Sequence, residues 1–159
     1  MTEPPPPDDD TVHTISVTPA TPADLPAIWP LASALATSYV PRRAAFAESY
    51  GEIITDPRQA LLLARSADGE RVLGYVHVLA HHAFHANGLI AWVEELIVDE
   101  SARGHGLGAG LMRAAQDWAR AAGCAYLSLA TRRAAGFYRH LDYEDSAVYF
   151  KKELGRASS

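Results

Sequence analysis

The sequence carries a single cysteine, Cys124, so no intrachain disulfide framework can be built from it. No apolar run reaches the roughly 18 residues that a membrane-spanning helix needs. The opening MTEPPPPDDD has neither the basic stretch nor the apolar segment of a secretion signal. These absences lead us to expect a protein of the reducing cytoplasm without a membrane partner. A surplus of positive charge is lacking too. The net charge is −5, and Glu3, Asp8, Asp9 and Asp10 supply −4 of it, leaving a body with 14 basic and 15 acidic residues. Such a near-neutral body argues against nucleic-acid binding as the main role.

What is present is an ordinary globular balance, 48% apolar and 21% charged over 159 residues, enough for one domain with a sizeable core. Residues 1–12 are rich in proline and acid and read as a disordered tail. The domain is expected over residues 13–154, with a frayed tail at 155–159.

Apolar periodicity sets the expected elements. Thr14 to Thr18 alternates as a short strand. Thr21-Pro-Ala-Asp opens a helical stretch with Leu25, Ile28, Leu31 and Leu35 on one face, and Pro30 predicts a kink or break in it. Arg43 to Ile54 reads as a second helix. Ala60 to Arg65, Val72 to Ala80 and Leu89 to Val98 read as a meander of antiparallel strands, with Asn87-Gly88 a hairpin signal. Leu107 to Ala122 is a helix with Leu107, Leu111, Ala114, Ala115, Trp118 and Ala122 on its apolar side, stopped by Gly123. Cys124 to Ala130 is a strand, Arg133 to Leu141 a short helix, and Ala147 to Lys151 a last strand. The fold class is α+β: a mixed, mostly antiparallel sheet with one parallel crossover and helices on both faces.

The most informative stretch is Glu94 to Gly110, EELIVDESARGHGLGAG, in which four alternate glycines, 104, 106, 108 and 110, straddle the start of a helix. Unsatisfied N–H groups at a helix start attract phosphate, and glycines let an anion approach the backbone. Arg103 adds a fixed positive charge. A dinucleotide fingerprint fits poorly, because Asp99 to Arg103 separate the strand from the first glycine and no acid ends the next strand. A Walker loop is excluded, since no Gly-Lys-Ser/Thr follows.

Arg103-Gly104-His105-Gly106-Leu107-Gly108 resembles the Arg/Gln-x-x-Gly-x-Gly/Ala pyrophosphate loop of the GNAT N-acetyltransferases. Downstream, Thr131-Arg-Arg-Ala134-Ala-Gly-Phe137-Tyr138-Arg-His-Leu-Asp142-Tyr143 is similar to that family's Asn-x-x-Ala-x-x-Phe-Tyr-x-x-x-Gly-Phe/Tyr segment. Thr131 replaces the usual asparagine and Asp142 a turn glycine. The resemblance spans about residues 14 to 154 and implies acetyl transfer from acetyl-coenzyme A to an amine, without a metal. It implies that the cofactor pyrophosphate rests on Arg103, Gly104, His105, Gly106, Leu107, Gly108 and Ala109, and that the backbone of Leu96, Ile97 and Val98 pairs with the pantetheine. Thr131 and Tyr138 complete the implied cofactor contacts.

An acceptor amine must lose a proton before it attacks, and a carboxylate or a water held by one can take it. Glu94 and Glu95 are the candidates. Adjacent strand residues face opposite sides unless a bulge intervenes, so at most one of them is expected to face the acetyl group. Similarity to diamine acetyltransferases favours Glu94. The family's general-acid position falls on Tyr138. Cys124 reads as an inert core thiol, so direct attack in a ternary complex is expected. The alternatives are a longer-chain acyltransferase and a non-catalytic sensor that binds the coenzyme or a metabolite. Glu48, Glu52 and Asp56, four apart, could form an acidic face for a cationic amine near Trp29, Tyr39 and Tyr50. His77, His81, His82 and His85 cluster at one strand end and its hairpin; they lack the spacing of a metal site and read first as exposed polar side chains and second as a rim that contacts substrate. A monomer or a homodimer fits these features equally.

Overall fold

Strict alternation along the central strands decides how the sheet is covered. The computed structural model describes residues 15–36 and 39–155; the tail expected over residues 1–12 lies outside them. The chain divides into two units, one ending at Ser128 and one starting at Leu129.

The first unit contains β1 (Ser16–Pro19), α1 (Leu25–Leu35), α2 (Arg43–Thr55), β2 (Gln59–Arg65), β3 (Val72–Ala83), β4 (Gly88–Val98), α3 (Leu107–Ala121) and the first two residues of β5 (Leu127–Leu129). The sheet order is β1-β2-β3-β4-β5, with β1 to β4 successively antiparallel. Ala125 N–H donates to Leu89 O and Ala91 N–H to Tyr126 O, so both strands climb in the same direction and β5 runs parallel to β4. This is the mixed sheet with one parallel crossover that the helix–strand order predicts.

Leu61, Leu63, Tyr75 and Ile97 point to one face and pack with Ile28 and Leu31 of α1 and Tyr50 of α2. The alternate positions Leu62, Ala64, Val76 and Val78 are buried on the other face, which α3 covers. Each of the buried leucine, isoleucine and valine side chains contributes roughly 1.5–3 kcal/mol by burial. Leu111, Met112 and Ala115 of α3 are fully buried, whereas Ala114 and Trp118 are half-buried at the edge of its apolar stripe. Gly110 lies on that stripe as well. A Cβ there would stand 3.4 Å from two carbons of Ile15, at the upper limit of tight contact.

Local signals place the ends of these elements. Gly123, at φ 80°, ends α3 with its N–H on Arg120 O while Cys124 N–H returns to Ala119 O, the paired bonds of a Schellman stop. Before α1, the carboxylate of Asp24 accepts from both the N–H and the hydroxyl of Thr21 at 2.8 and 3.0 Å. Arg65 grips the same carboxylate with both oxygens 3.0 Å from its Nη2. The Tyr50 hydroxyl donates to Thr21 O at 2.6 Å, and burial pushes its pKa up to about 12.

Three expectations are corrected. The α1 helix runs unbroken across Pro30. The donor that proline lacks would have met the carbonyl of Pro26 in the first turn, and burial of Ile28 and Leu31 holds the helix on the sheet. The hairpin that Asn87-Gly88 signals is present: Ala83 pairs with Gly88 across a 3₁₀ turn, Phe84–Ala86, and Asn87 takes the left-handed conformation at φ 56°. The strand expected over Cys124 to Ala130 shortens to Leu127–Leu129, because the Schellman stop consumes its first residues. Ala147 to Lys151 forms no strand, and Val148 and Phe150 are 78% and 87% exposed.

The second unit contains α4 (Ala135–His140) and the chain that follows it. Thr131 Oγ1 accepts from Ala134 N–H at 3.0 Å ahead of the helix. Asp142 adopts φ 65° just after it, the left-handed geometry for which its family counterpart is glycine.

Candidate active site

The candidate acids lie where β4 departs from regular pairing. Ile97, Leu96 and Glu95 pair with Tyr75, Val76 and His77, but Val78 pairs with Val93, so Glu94 is an extra residue with no partner. This is a β-bulge, and it changes the face assignment. Trp92 lies opposite Leu79 and Glu95 opposite His77, which share one side of β3. Trp92 Nε1 donates to Glu94 Oε2 at 3.0 Å and ties Glu94 to that same side. The bulge is the exception that strand alternation allows, and it sets both glutamates on the face that α1 and α2 cover.

Their surroundings differ. Glu94 is exposed, while Glu95 is half-buried and accepts the Tyr75 hydroxyl at 2.7 Å. Burial of Tyr75, reinforced by the Glu95 charge, pushes that phenol well above the ordinary tyrosine range. Tyr75 therefore stays a proton donor to Glu95 at every physiological pH.

His77 faces the same side and is only 7% exposed, unlike His81, His82 and His85, which are exposed near the hairpin tip. Reading all four as exposed polar side chains is thus wrong for His77; strand alternation would have separated it from the rest. Its Nε2 lies 2.8 Å from Gln59 Oε1, and Gln59 Nε2 donates to Asp56 Oδ2 at 2.9 Å. Burial lowers the pKa of His77, against the pull of Glu95 and Glu94. Asp56 itself lies beyond the last residue of α2, so the acidic face expected from Glu48, Glu52 and Asp56 reduces to the exposed pair Glu48 and Glu52. Tyr50 is core, whereas Trp29 is half-buried against Phe46, ring centres 5.1 Å apart, with the Arg43 guanidinium 5.3 Å from its centre.

Past the bulge, β4 runs on through Leu96, Ile97 and Val98 to Asp99, whose N–H meets Leu73 O. A 3₁₀ turn, Glu100–Ala102, then leads to the glycine run. Gly104 and Gly106 sit at φ 81° and 78°, and Gly106 is the residue that opens α3. No backbone acceptor among the described residues takes the N–H groups of Gly104 to Ala109; the first bond is Gly110 N–H to Gly106 O at 3.0 Å. Arg103 Nε is anchored on Val98 O at 3.1 Å, which leaves both terminal NH₂ groups beside the turn. His105, the residue between the two left-handed glycines, is exposed. A Cβ at Gly104 would meet nothing within 4 Å. Open space, unspent donors and a fixed cation suit a bound phosphate diester or pyrophosphate.

In the second unit Tyr138 is half-buried, with ring contacts to Phe137 at 4.9 Å and Tyr143 at 5.9 Å. Its hydroxyl has no hydrogen-bond partner among the described residues, and burial together with Tyr143 raises its pKa. Cys124 is half-buried, and burial pushes its thiol up, away from the reactive thiolate. No group of three or more potential metal ligands occurs among the described residues, and no helix among them is long and apolar enough to cross a membrane.

Comparison with known proteins gives this arrangement a class: it is that of an acyltransferase enzyme of the N-acetyltransferase kind. The chain belongs to the acetyltransferase (GNAT) family, whose model matches residues 26–143. It is 32% identical over 117 residues to the aminoglycoside N(6′)-acetyltransferase type 1 of Stenotrophomonas maltophilia, covering 67% of this chain and 75% of that one. In fold it is similar to a glucosamine-6-phosphate N-acetyltransferase from Arabidopsis thaliana, with a TM-score of 0.78 at 17% identity, over 89% of this chain and 99% of the other. A transcriptional regulator from Bacillus halodurans shares the fold equally well, with a TM-score of 0.78 at 22% identity, over 88% and 99% of the two chains.

Proposed function

We propose that this chain transfers an acetyl group from acetyl-coenzyme A to a primary amine of an amino sugar, by direct attack within a ternary complex. The observation that carries the reading is the Glu94 bulge. It sets two carboxylates on one face of β4, a few residues ahead of a turn with unspent N–H donors. The relative that acts on an aminoglycoside supports an amino sugar as acceptor.

When bound, acetyl-coenzyme A supplies the activated thioester. The chain's own residues do the rest. The N–H groups of Gly104 to Ala109 and the Arg103 guanidinium bind the pyrophosphate. The backbone of Leu96 to Val98 offers the edge on which a peptide-like pantetheine arm is held as an added strand. Thr131, at the start of the second motif, offers a hydroxyl to the cofactor. Glu94, exposed and oriented by Trp92, draws the ammonium of the acceptor and takes its proton directly or through a water. Glu95 adds negative charge beside it. Tyr138, kept protonated by its raised pKa, donates to the departing thiolate. The inert state of Cys124 is consistent with direct attack rather than a covalent enzyme intermediate.

A panel of amines tests the reading through thiol release from acetyl-coenzyme A. Amino sugars should give saturable release with the acetylated product seen by mass spectrometry. Preferential turnover of polyamines, amino acids or peptide amines would displace the amino-sugar assignment, and coenzyme binding with no release for any amine would displace the enzymatic reading.

A further inference from the structure

We propose that His77 is the proton relay of the acetyl-transfer site, held by the Asp56–Gln59 chain in the tautomer that leaves Nδ1 free to receive the acceptor's proton. The proposal rests on the acetyl-transfer reading above and adds a residue and a hydrogen-bond chain to it.

The argument runs from Asp56 inward. The hydrogen bond from Gln59, and after it that from Arg58 N–H, which reaches Oδ1 at 2.8 Å, hold this carboxyl below the usual aspartate range. As an ionised carboxylate it can only accept. The bond from Gln59 to Asp56 Oδ2 must therefore come from the amide NH₂, which fixes the amide with Oε1 turned toward His77. A carbonyl oxygen can also only accept, so the 2.8 Å contact to His77 requires the proton on Nε2. Nδ1 then carries the lone pair. It has no hydrogen-bond partner among the described residues, yet it is not sealed off, since the one enclosed side-chain polar atom without a partner there is Ser33 Oγ.

Position completes the case. His77 pairs directly with Glu95, next to the Glu94 bulge, on the face that carries both carboxylates. The titratable groups that face it are Glu95 and Glu94 from β4, Tyr75 two residues along its own strand, and Asp56 behind Gln59. In the step proposed, an N–H bond of the acceptor ammonium breaks as Glu94 takes the proton, and the proton then passes from the Glu94 carboxyl to His77, where an N–H bond forms at Nδ1. The ammonium becomes a neutral amine with its lone pair free, and the neutral imidazole becomes an imidazolium. Glu94 and Glu95 stabilise that new charge, and the Nδ1 proton passes on to water when the product leaves. A buried, neutral imidazole suits this task better than a carboxylate alone, because its proton affinity lies nearer that of an amine.

Two measurements test it. In ¹⁵N NMR of the free wild-type protein, His77 should show Nε2 protonated and Nδ1 bare, and Gln59→Leu should mix the tautomers. In the pH profile of kcat/KM, the acid limb should coincide with the NMR titration midpoint of His77, below the usual imidazole value of about 6.5. Gln59→Glu keeps an acceptor on Nε2 and adds negative charge, so it should move the limb and the NMR midpoint upward together. The ionisation of the acceptor amine is the same for both proteins and cannot produce that shift. His77→Gln should remove the limb and lower kcat by about 10²-fold. A proton on Nδ1 in the wild type, or a limb that stays fixed while the His77 midpoint moves, would overturn the relay even if His77→Gln fails to fold. A wild-type protein that acetylates no amine would overturn the function itself, whereas turnover with an unmoved limb overturns the relay alone.

Discussion

Tyr75 donates its hydroxyl to Glu95 Oε2 at 2.7 Å, reaching diagonally across β3 and β4, while Glu94 one residue away takes its bond from the indole of Trp92 instead. Two neighbouring carboxylates on one face are thereby given unequal freedom: one is pinned by a buried phenol and the other stands in solvent. The pinned carboxylate is suited to holding charge, the free one to meeting an incoming amine.

Glu94→Gln is therefore expected to lower kcat/KM by about 10²-fold, the usual scale for loss of a general base, with the loss largest at low pH where free amine is scarcest. Glu95→Gln should cost less in rate. Steady-state kinetics of the two variants side by side decide the matter, and a greater loss in Glu95→Gln would reverse the roles.

For Tyr138→Phe, kcat should fall by about 10²-fold with coenzyme affinity nearly unchanged, because the phosphates and pantetheine are assigned to the turn and to β4. Calorimetric binding together with single-turnover rates checks this. An unchanged single-turnover rate would leave Tyr138 with a packing role only.

Gly106 lies at φ 78°, where any side chain is strained, so a simple replacement confounds strain with chemistry. Gly106→Asn and Gly106→Asp share shape and tolerate left-handed backbone comparably. The aspartate variant should bind acetyl-coenzyme A at least roughly tenfold more weakly than the asparagine variant, since it sets a negative charge at the phosphate site. Equal affinities by calorimetry would move the pyrophosphate elsewhere.

Asp24 and Arg65 form a pair with side chains only 12% and 18% exposed. Burial pushes the Asp24 pKa up, but the bonds from Thr21 and Arg65 outweigh it and the net shift is downward. A carboxylate whose pKa is depressed by folding stabilises the native state above its unfolded value, about 3.9, and that contribution vanishes as pH falls through the folded value. Asp24→Asn should therefore cost about 2 kcal/mol near pH 7, with the gap to wild type closing below about pH 4 in urea denaturation. A gap that persists unchanged at pH 3 would show that the loss is one of packing.

Much of this was legible from residues whose effect is local. Gly123 announces the end of α3 because a left-handed stop needs no distant partner, and Asn87 announces a turn for the same reason. The apolar spacing of α3 was equally legible, although Met112 and Ala119 prove more deeply buried than Trp118. What could not be read depends on pairing. Glu94 and Glu95 look like alternating strand residues, and only the register of β3 against β4 reveals that one of them is supernumerary. Ala147 to Lys151 has the composition of a strand yet forms none, because strand propensity depends on packing context more than on composition. His77 was grouped with three nearby histidines in sequence, whereas an even offset from Tyr75 turns it toward the helices.

The bulge also separates what the fold requires from what the chemistry requires. Val93 pairs with Val78 and Glu95 with His77, so a chain lacking residue 94 would run through β4 as an uninterrupted ladder, every remaining side chain keeping its face. No neighbour in the sheet enforces the presence of Glu94. Deletion of this one residue is expected to leave the β3–β4 ladder continuous while removing the exposed carboxylate. The pairing of the sheet thus offers that residue no protection, and its retention would have to rest on the role proposed for it.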